Sequence, residues 1–140
     1  MGRSFLALLS GYAATVLIVL VLTPLAARLL IPPEMLAAKP PQVTCAYLAS
    51  NFVYGFGAAL VGGWLTAMMA PRKPMAHAGA LAMVLLAFAV LGIVGAASGG
   101  ADAASATGQP SWYGPGTAAV GILGALAGGW LKARKLDAGS

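Results

Sequence analysis

One eight-residue segment occurs twice in this chain, and it limits what the chain can fold into more than any other feature. Leu60-Val61-Gly62-Gly63-Trp64-Leu65-Thr66-Ala67 returns as Leu126-Ala127-Gly128-Gly129-Trp130-Leu131-Lys132-Ala133, and each copy closes a long apolar run. Laying residues 47–67 over 113–133 gives nine identities in 21 positions, including Tyr47/Tyr113 and Trp64/Trp130. Chance in a chain so rich in Ala, Leu and Gly would give roughly two or three. The match predicts two related helices of one bundle. It names no reaction.

The apolar runs identify the solvent of that bundle. Apolar residues make up 60% of the chain and charged residues 8%, against about 45–50% and 25% in a soluble domain. Four stretches carry no charge: Ser4–Ala27, Pro40–Pro71, Pro74–Ala101 and Ala103–Leu131. Each can supply the ~20 mostly apolar residues that cross a bilayer as a helix. Four spans consume nearly all of residues 1–140, which predicts a single transmembrane domain: an all-α, integral-membrane four-helix bundle.

The few charges suggest an orientation. With four spans, the N-terminus, the turn near residue 72 and the C-terminal tail share one side, and that side carries Arg3, Arg72, Lys73, Lys132, Arg134 and Lys135. The opposite side has Arg28 and Lys39, accompanied by Glu34 and Asp102. The positive-inside rule then places both termini in the cytoplasm. The net charge of +5 is mostly this asymmetry. Basic residues interleaved with aromatics on a folded surface are lacking, so nucleic acid is not an expected partner. Anionic lipid headgroups suit the tail Lys132, Arg134 and Lys135 better. The first apolar run exceeds the 7–15 residues of a signal-peptide core and has a single basic residue before it, so it reads as a permanent helix. The lone Cys45 at the outer end of the second span reads as a packing residue.

Proline and glycine punctuate the spans. The helices are expected over about 5–29, 43–69, 75–97 and 115–132. Thr23-Pro24 should bend the first. Pro32-Pro33 and Pro40-Pro41 bracket a short, stiff outer loop, and Pro71-Arg72-Lys73-Pro74 makes a tight cytoplasmic turn. Ser98–Gln109, rich in Gly, Ala and Ser, reads as the mobile outer loop. Pro115 suits the first turn of the last helix.

The repeat can now be read physically. Seventeen residues separate Tyr from Trp in each copy, a rise of about 25 Å along a helix. That is close to the hydrocarbon thickness, and Tyr and Trp favour the two interfaces. Tyr47 and Tyr113, reinforced by Trp112, are therefore expected as outer anchors, with Trp64 and Trp130 as inner ones. Between the rings run small residues at four-residue spacing: Gly55, Ala59 and Gly63 beside Ala58 and Gly62, then Gly121, Ala125 and Gly129 beside Gly124 and Gly128. Such stripes let helix backbones approach closely, so these positions read as packing residues rather than a ligand site. Both copies run outside to inside, making this a parallel internal repeat relating the second and fourth spans, unlike the inverted repeats of many transporters. The first and third spans show no comparable match.

Ionisable groups inside a membrane are costly and usually functional. The central part of every expected span lacks Asp, Glu, Lys and Arg, leaving no proton carrier, no assembled nucleophile and base, and no metal-ligand spacing around His77. An enzyme is not expected. Asn51, with Tyr47 at i−4 and Tyr54 at i+3 on one face, reads either as an amide bonding a neighbouring helix or, with Tyr54, as a ligand contact or pore constriction. His77, flanked by Ala76, Ala78, Gly79 and Ala80, reads as a hydrogen-bonded interfacial residue; the alternative is an axial ligand to haem or a chlorophyll-type pigment. Gln109-Pro110-Ser111-Trp112-Tyr113 reads as an aromatic anchor or an outward docking patch.

Taken together, Asn51-x-x-Tyr54, Gly62-Gly63-Trp64, His77-Ala78, Gln109-Pro110-Ser111-Trp112-Tyr113 and Gly128-Gly129-Trp130-Leu131 followed by basic residues resemble small four-span bacterial inner-membrane proteins of unknown function. The resemblance covers most of the chain. It implies an inner-membrane location and carries over no activity and no catalytic residue. The membrane-embedded Glu of small multidrug transporters and the polar and Phe motifs of fluoride channels do not occur.

Three functions follow as expectations. The first is a non-catalytic accessory or structural subunit, without cofactor, packing against other subunits of a larger inner-membrane complex, respiratory or photosynthetic. The second is a small homo-oligomeric channel or carrier for a neutral solute, lined by Asn51, Tyr54 and the glycine stripes. The third is a cofactor-binding subunit using His77.

Overall fold

The computed structural model describes residues 2–39, 41–70, 73–98 and 108–137. The expected turn at Arg72 and most of the expected Ser98–Gln109 loop lie outside the described residues. Among the described residues five helices follow in order: α1 (Gly2–Leu30), the one-turn α2 (Pro33–Ala37), α3 (Cys45–Met69), α4 (Pro74–Ser98) and α5 (Tyr113–Asp137). Strands do not occur among the described residues. Four of the helices are long and apolar enough to cross a membrane, which marks a multi-pass membrane protein. The start of α1 and the end of α5 lie at one end of the bundle; α2 and the start of α5 lie at the far end.

Local chemistry explains the helix limits. α1 continues through Pro24 as one helix instead of stopping there. α3 starts at Cys45 because Thr44 caps it: the Thr44 hydroxyl accepts from the Tyr47 amide at 3.2 Å and donates to the Leu30 carbonyl at 2.8 Å. One side chain therefore satisfies an orphan amide of α3 and an orphan carbonyl at the end of α1. Thr44→Ala is expected to cost about 1–2 kcal/mol, the sum of a lost cap and a lost hydrogen bond, while Thr44→Ser restores most of it; unfolding in bicelles measures both. α5 begins two residues before Pro115, which then falls in a first turn where a missing amide costs nothing.

Around the bundle the long helices follow the order α1, α3, α5, α4, with α3–α5 the most extensive contact and α1–α4 the slightest. The Gly-Gly-Trp segments set that order. A methyl on Gly62 would stand 2.6 Å from the Gly11 carbonyl of α1, and a methyl on Gly63 would overlap the Ala125 carbonyl of α5. In α5, a methyl on Gly128 would overlap the Leu60 carbonyl of α3, and one on Gly129 the Ala78 methyl of α4. In each segment the first glycine meets the neighbour on the α1 side, and the second meets the neighbour on the α4 side. Adjacent helix residues point about 100° apart, so two consecutive glycines clear two separate contacts.

The α1–α3 contact is reciprocal. Gly11-x-x-x-Thr15 on α1 faces Gly62-x-x-x-Thr66 on α3: a methyl on Gly11 would strike the Thr66 hydroxyl, and a methyl on Gly62 the Thr15 hydroxyl. Each hydroxyl is tied to its own glycine's carbonyl at 2.9 Å, and Thr15 also reaches the Ala58 carbonyl at 3.4 Å. Both threonines are buried. The sequence reading passed over Gly11, Thr15 and Thr66, although the shared glycine–threonine spacing was a usable signal.

The far end departs from the expected aromatic belt. Tyr47 and Tyr113 are 6% and 8% exposed and form a core cluster with Ile31 and Leu48, flanked by Met35, Val43 and Phe52. They are interior residues, not lipid-facing anchors. The segment from Ile31 through α2 folds back over the helix ends, with the Gln42 amide bonded to the Met35 carbonyl at 2.9 Å, and supplies the cover. Trp112 and Trp130 are the exposed rings, at 56% and 48%, whereas Trp64 is half-buried. Arg134 lies 4.5 Å from the centre of the Trp130 ring, a cation–π contact.

Candidate functional site: a cavity between the long helices

The small-residue stripes do not close along their whole length. At Leu60 and Gly128 the backbones of α3 and α5 touch. Nearer the far end, the ring of Phe52 sits between the two helices: a methyl on Gly116 would stand 3.0 Å from its Cζ, and the ring lies 5.6 Å from Tyr113 and 6.1 Å from Trp112, centre to centre. The helices are thus a glycine's width apart at one level and an aromatic ring's width apart at another. Small residues between these levels cannot reach across. Gly55 has no atom near its missing side chain, and Gly121 has only Leu85 Cδ1, at 3.9 Å. These two were expected as packing residues. They face a cavity of about 340 Å³ instead.

All four long helices line it. Thr15 and Val19 come from α1; Asn51, Phe52, Tyr54, Gly55 and Ala59 from α3; Leu85 and Ala89 from α4; Tyr113, Thr117, Ala118, Val120 and Gly121 from α5. From Tyr113 to Gly121 the lining covers eight residue steps of α5, a depth of about 12 Å. The walls are predominantly apolar, with a few polar atoms. Its volume falls near the small end of the ~300–1,000 Å³ typical of ligand pockets, whose lining has the same mixed character.

The polar groups are organised. Asn51, 8% exposed, donates from Nδ2 to the Tyr47 carbonyl at 2.8 Å and accepts from the Tyr54 hydroxyl at Oδ1. Tyr54 in turn pairs with the Thr23 hydroxyl of α1 at 2.9 Å. With Tyr54 donating to Asn51, Thr23 must be the donor in that pair. Asn51 therefore bonds its own helix directly and reaches α1 only through Tyr54, unlike the direct interhelical amide bond expected for it. The hydroxyls of Thr15 and Thr117 donate to the Gly11 and Gly114 carbonyls, both at 2.9 Å. The Thr15 oxygen is taken up by the α1–α3 contact at Gly62 and Ala58, which leaves Thr117 as the lining hydroxyl with acceptor capacity to spare. The second Asn51 amide proton is the complementary donor. A neutral guest with one hydroxyl or carbonyl suits this set, since no charged side chain lines the cavity to balance an ion.

Elsewhere the expected site residues separate. Gly124 and Ala125 pack at the closed level and Ala59 at its border with the cavity: a methyl on Gly124 would stand 2.6 Å from the Phe56 carbonyl and 2.9 Å from Ala59 Cβ. His77 stands one turn into α4, away from the cavity, with Nδ1 3.2 Å from the Lys73 carbonyl. That geometry makes Nδ1 the protonated nitrogen. Among the described residues no three His, Cys, Asp or Glu side chains gather as a metal-binding group. Cys45 is exposed, in contrast to the packing role expected for it. Thr117, Phe52 and Thr23 were not singled out from sequence; the first two line the cavity, and Thr23 bonds the lining residue Tyr54. Set against protein-family models, curated protein sequences and solved structures, the chain matches none.

Proposed function

We propose that this chain is a non-catalytic, multi-pass protein of the bacterial inner membrane, with both termini in the cytoplasm, whose bundle holds a neutral, mainly apolar small molecule. The cavity carries the reading. It collects residues from all four long helices, and two glycines of the small-residue stripes open onto it. Asn51 and Tyr54, the polar pair named from sequence for a neutral-solute carrier, are both in its lining. Placing the termini inside rests on the distribution of Lys and Arg. The two parallel copies, α3 and α5, then both run from the periplasmic face inward.

The guest is tested by ejecting the protein from lipid nanodiscs into a native mass spectrometer. A retained neutral adduct that disappears in Gly121→Leu is the expected result; bare protein in both cases would remove the binding reading. Orientation is tested by reporter fusions: one active in the periplasm should work after Lys39, and one active in the cytoplasm after Ser140. A periplasmic signal at Ser140 would refute four spans with both termini inside.

A second reading, an accessory subunit of a larger inner-membrane assembly, draws on a different observation. The part of α4 beyond Leu85 has little cover from its own chain, and a neighbouring subunit could take that face. Cross-linking from Gly92→Cys in native membranes, in a Cys45→Ser background, tests it by the presence or absence of a defined second protein.

A further inference from the structure

We infer that the cavity is reached sideways, from the apolar interior of the bilayer, and that its guest is a membrane-soluble molecule with a single neutral polar end, such as a medium-chain alcohol. This rests on the binding reading above and adds the route and the chemical class.

In the first half of α4, Ala78, Leu81 and Ala82 are buried, with Leu81 and Ala82 packed against Ala125 of α5. From Leu86 to Gly95 every residue except Ala89 is exposed. A helix seated in a bundle hides a stripe along its length. α4 keeps such a stripe only as far as Leu85 and Ala89, the two residues it contributes to the cavity. Beyond them, Gly92 and Gly95 have no atom within 4 Å of where a side chain would start. At the level of the cavity and beyond it, α4 has little cover from the other described residues. Contact between α1 and α4 is slight, and the Tyr12–Phe88 stack at 5.4 Å spans it. Above that stack the cavity is bordered by Val19 of α1 and Ala89 of α4, both half-buried, and the seam between them is the entrance. On the side between α3 and α5, the rings of Phe52 and Tyr113, 5.6 Å apart, stand in the cavity wall.

The seam opens along the side of a bundle whose helices are of membrane-spanning length. Around such a helix the surroundings are hydrocarbon, not water. Phe88 and Leu91, 55% and 65% exposed, border this part of α4. A polar solute would have to cross that apolar surround, at the cost of leaving water without compensating hydrogen bonds. A chain-like apolar molecule meets no such barrier. Once inside, its hydroxyl has Thr117 as an acceptor and the second Asn51 amide proton as donor.

The test uses the full chain in lipid nanodiscs with a photoactivatable decanol carrying a diazirine in mid-chain. Labelling should concentrate on the segments 54–59 and 117–121, fall about tenfold with excess decanol but not with glycerol, and fall by the same factor in Gly121→Leu, equivalent to about 1.4 kcal/mol of lost binding. Gly55→Leu, which fills the space from the other helix, guards against misfolding of the first variant and should act alike. Labels spread over the exposed side chains of α1 and α4 and unchanged in both variants would overturn the lateral route. If a glycerol-sized adduct still appears in the mass spectra, only the route and guest class fail; if no adduct appears, the binding reading fails with them. A second protein cross-linked at Gly92→Cys would also overturn it, because the seam would then be an interface.

Discussion

Gly128→Leu and Gly62→Leu are each expected to lower the stability of the bundle by on the order of 1–3 kcal/mol, the usual cost of forcing bulk into a packed contact. Gly128 lies where a methyl would overlap the Leu60 carbonyl and come within 2.8 Å of the Trp64 amide nitrogen. Those are backbone atoms of α3 and cannot turn aside as a side chain could, so the helices themselves must part. Gly62 is as confined on its α1 side, between the Gly11 carbonyl and the Thr15 hydroxyl. Close approach matters more here than in a soluble core, because lipid is as apolar as leucine and supplies no hydrophobic drive for helices to associate. Unfolding in bicelles measures the loss. Stability equal to wild type in both variants would mean that α1, α3 and α5 do not meet at these glycines.

The opposite sign is expected for Gly55→Leu and Gly121→Leu. Gly55 has open space before it and Gly121 an ordinary van der Waals distance to Leu85. Either substitution removes a glycine from a helix interior, worth about 0.8–1.0 kcal/mol on soluble-helix scales, and fills a void, a change that commonly adds about 0.5–2 kcal/mol. Stability should rise by about 1 kcal/mol or more while guest binding falls. The glycines of each stripe would then fall into two classes by measurement, and the two copies would agree position by position. A loss of stability like that of Gly128→Leu would show that the cavity is closed in the membrane and would withdraw the site.

Several residues show why sequence went only so far. Leu60–Ala67 and Leu126–Ala133 can be seen to match without any structure, but not that Gly62 meets α1 while Gly128 meets α3. Spacing identifies the face of a helix a residue occupies; the neighbour on that face is a tertiary outcome. Tyr47 and Tyr113 illustrate the same limit. Their position near helix ends was legible, and the cover provided by Ile31 and α2 was not, since a loop's return path leaves no periodic signal.

What the sequence determined by itself is the solvent and the element list. Four uncharged apolar runs between prolines and charges admit four long helices in a membrane, because in hydrocarbon every backbone polar group must find its partner within the helix. Where those helices touch and where they part is set by packing between them. Small residues line α3 and α5 from Gly55 to Gly63 and from Gly121 to Gly129 alike. One aromatic ring, Phe52 against Gly116, holds one end of that stripe open while the glycines close the other. A helix is stiff over such a length, so a wedge at one level becomes a cavity at the next. No pattern in a single strand of sequence records that distance, because it belongs to two helices at once.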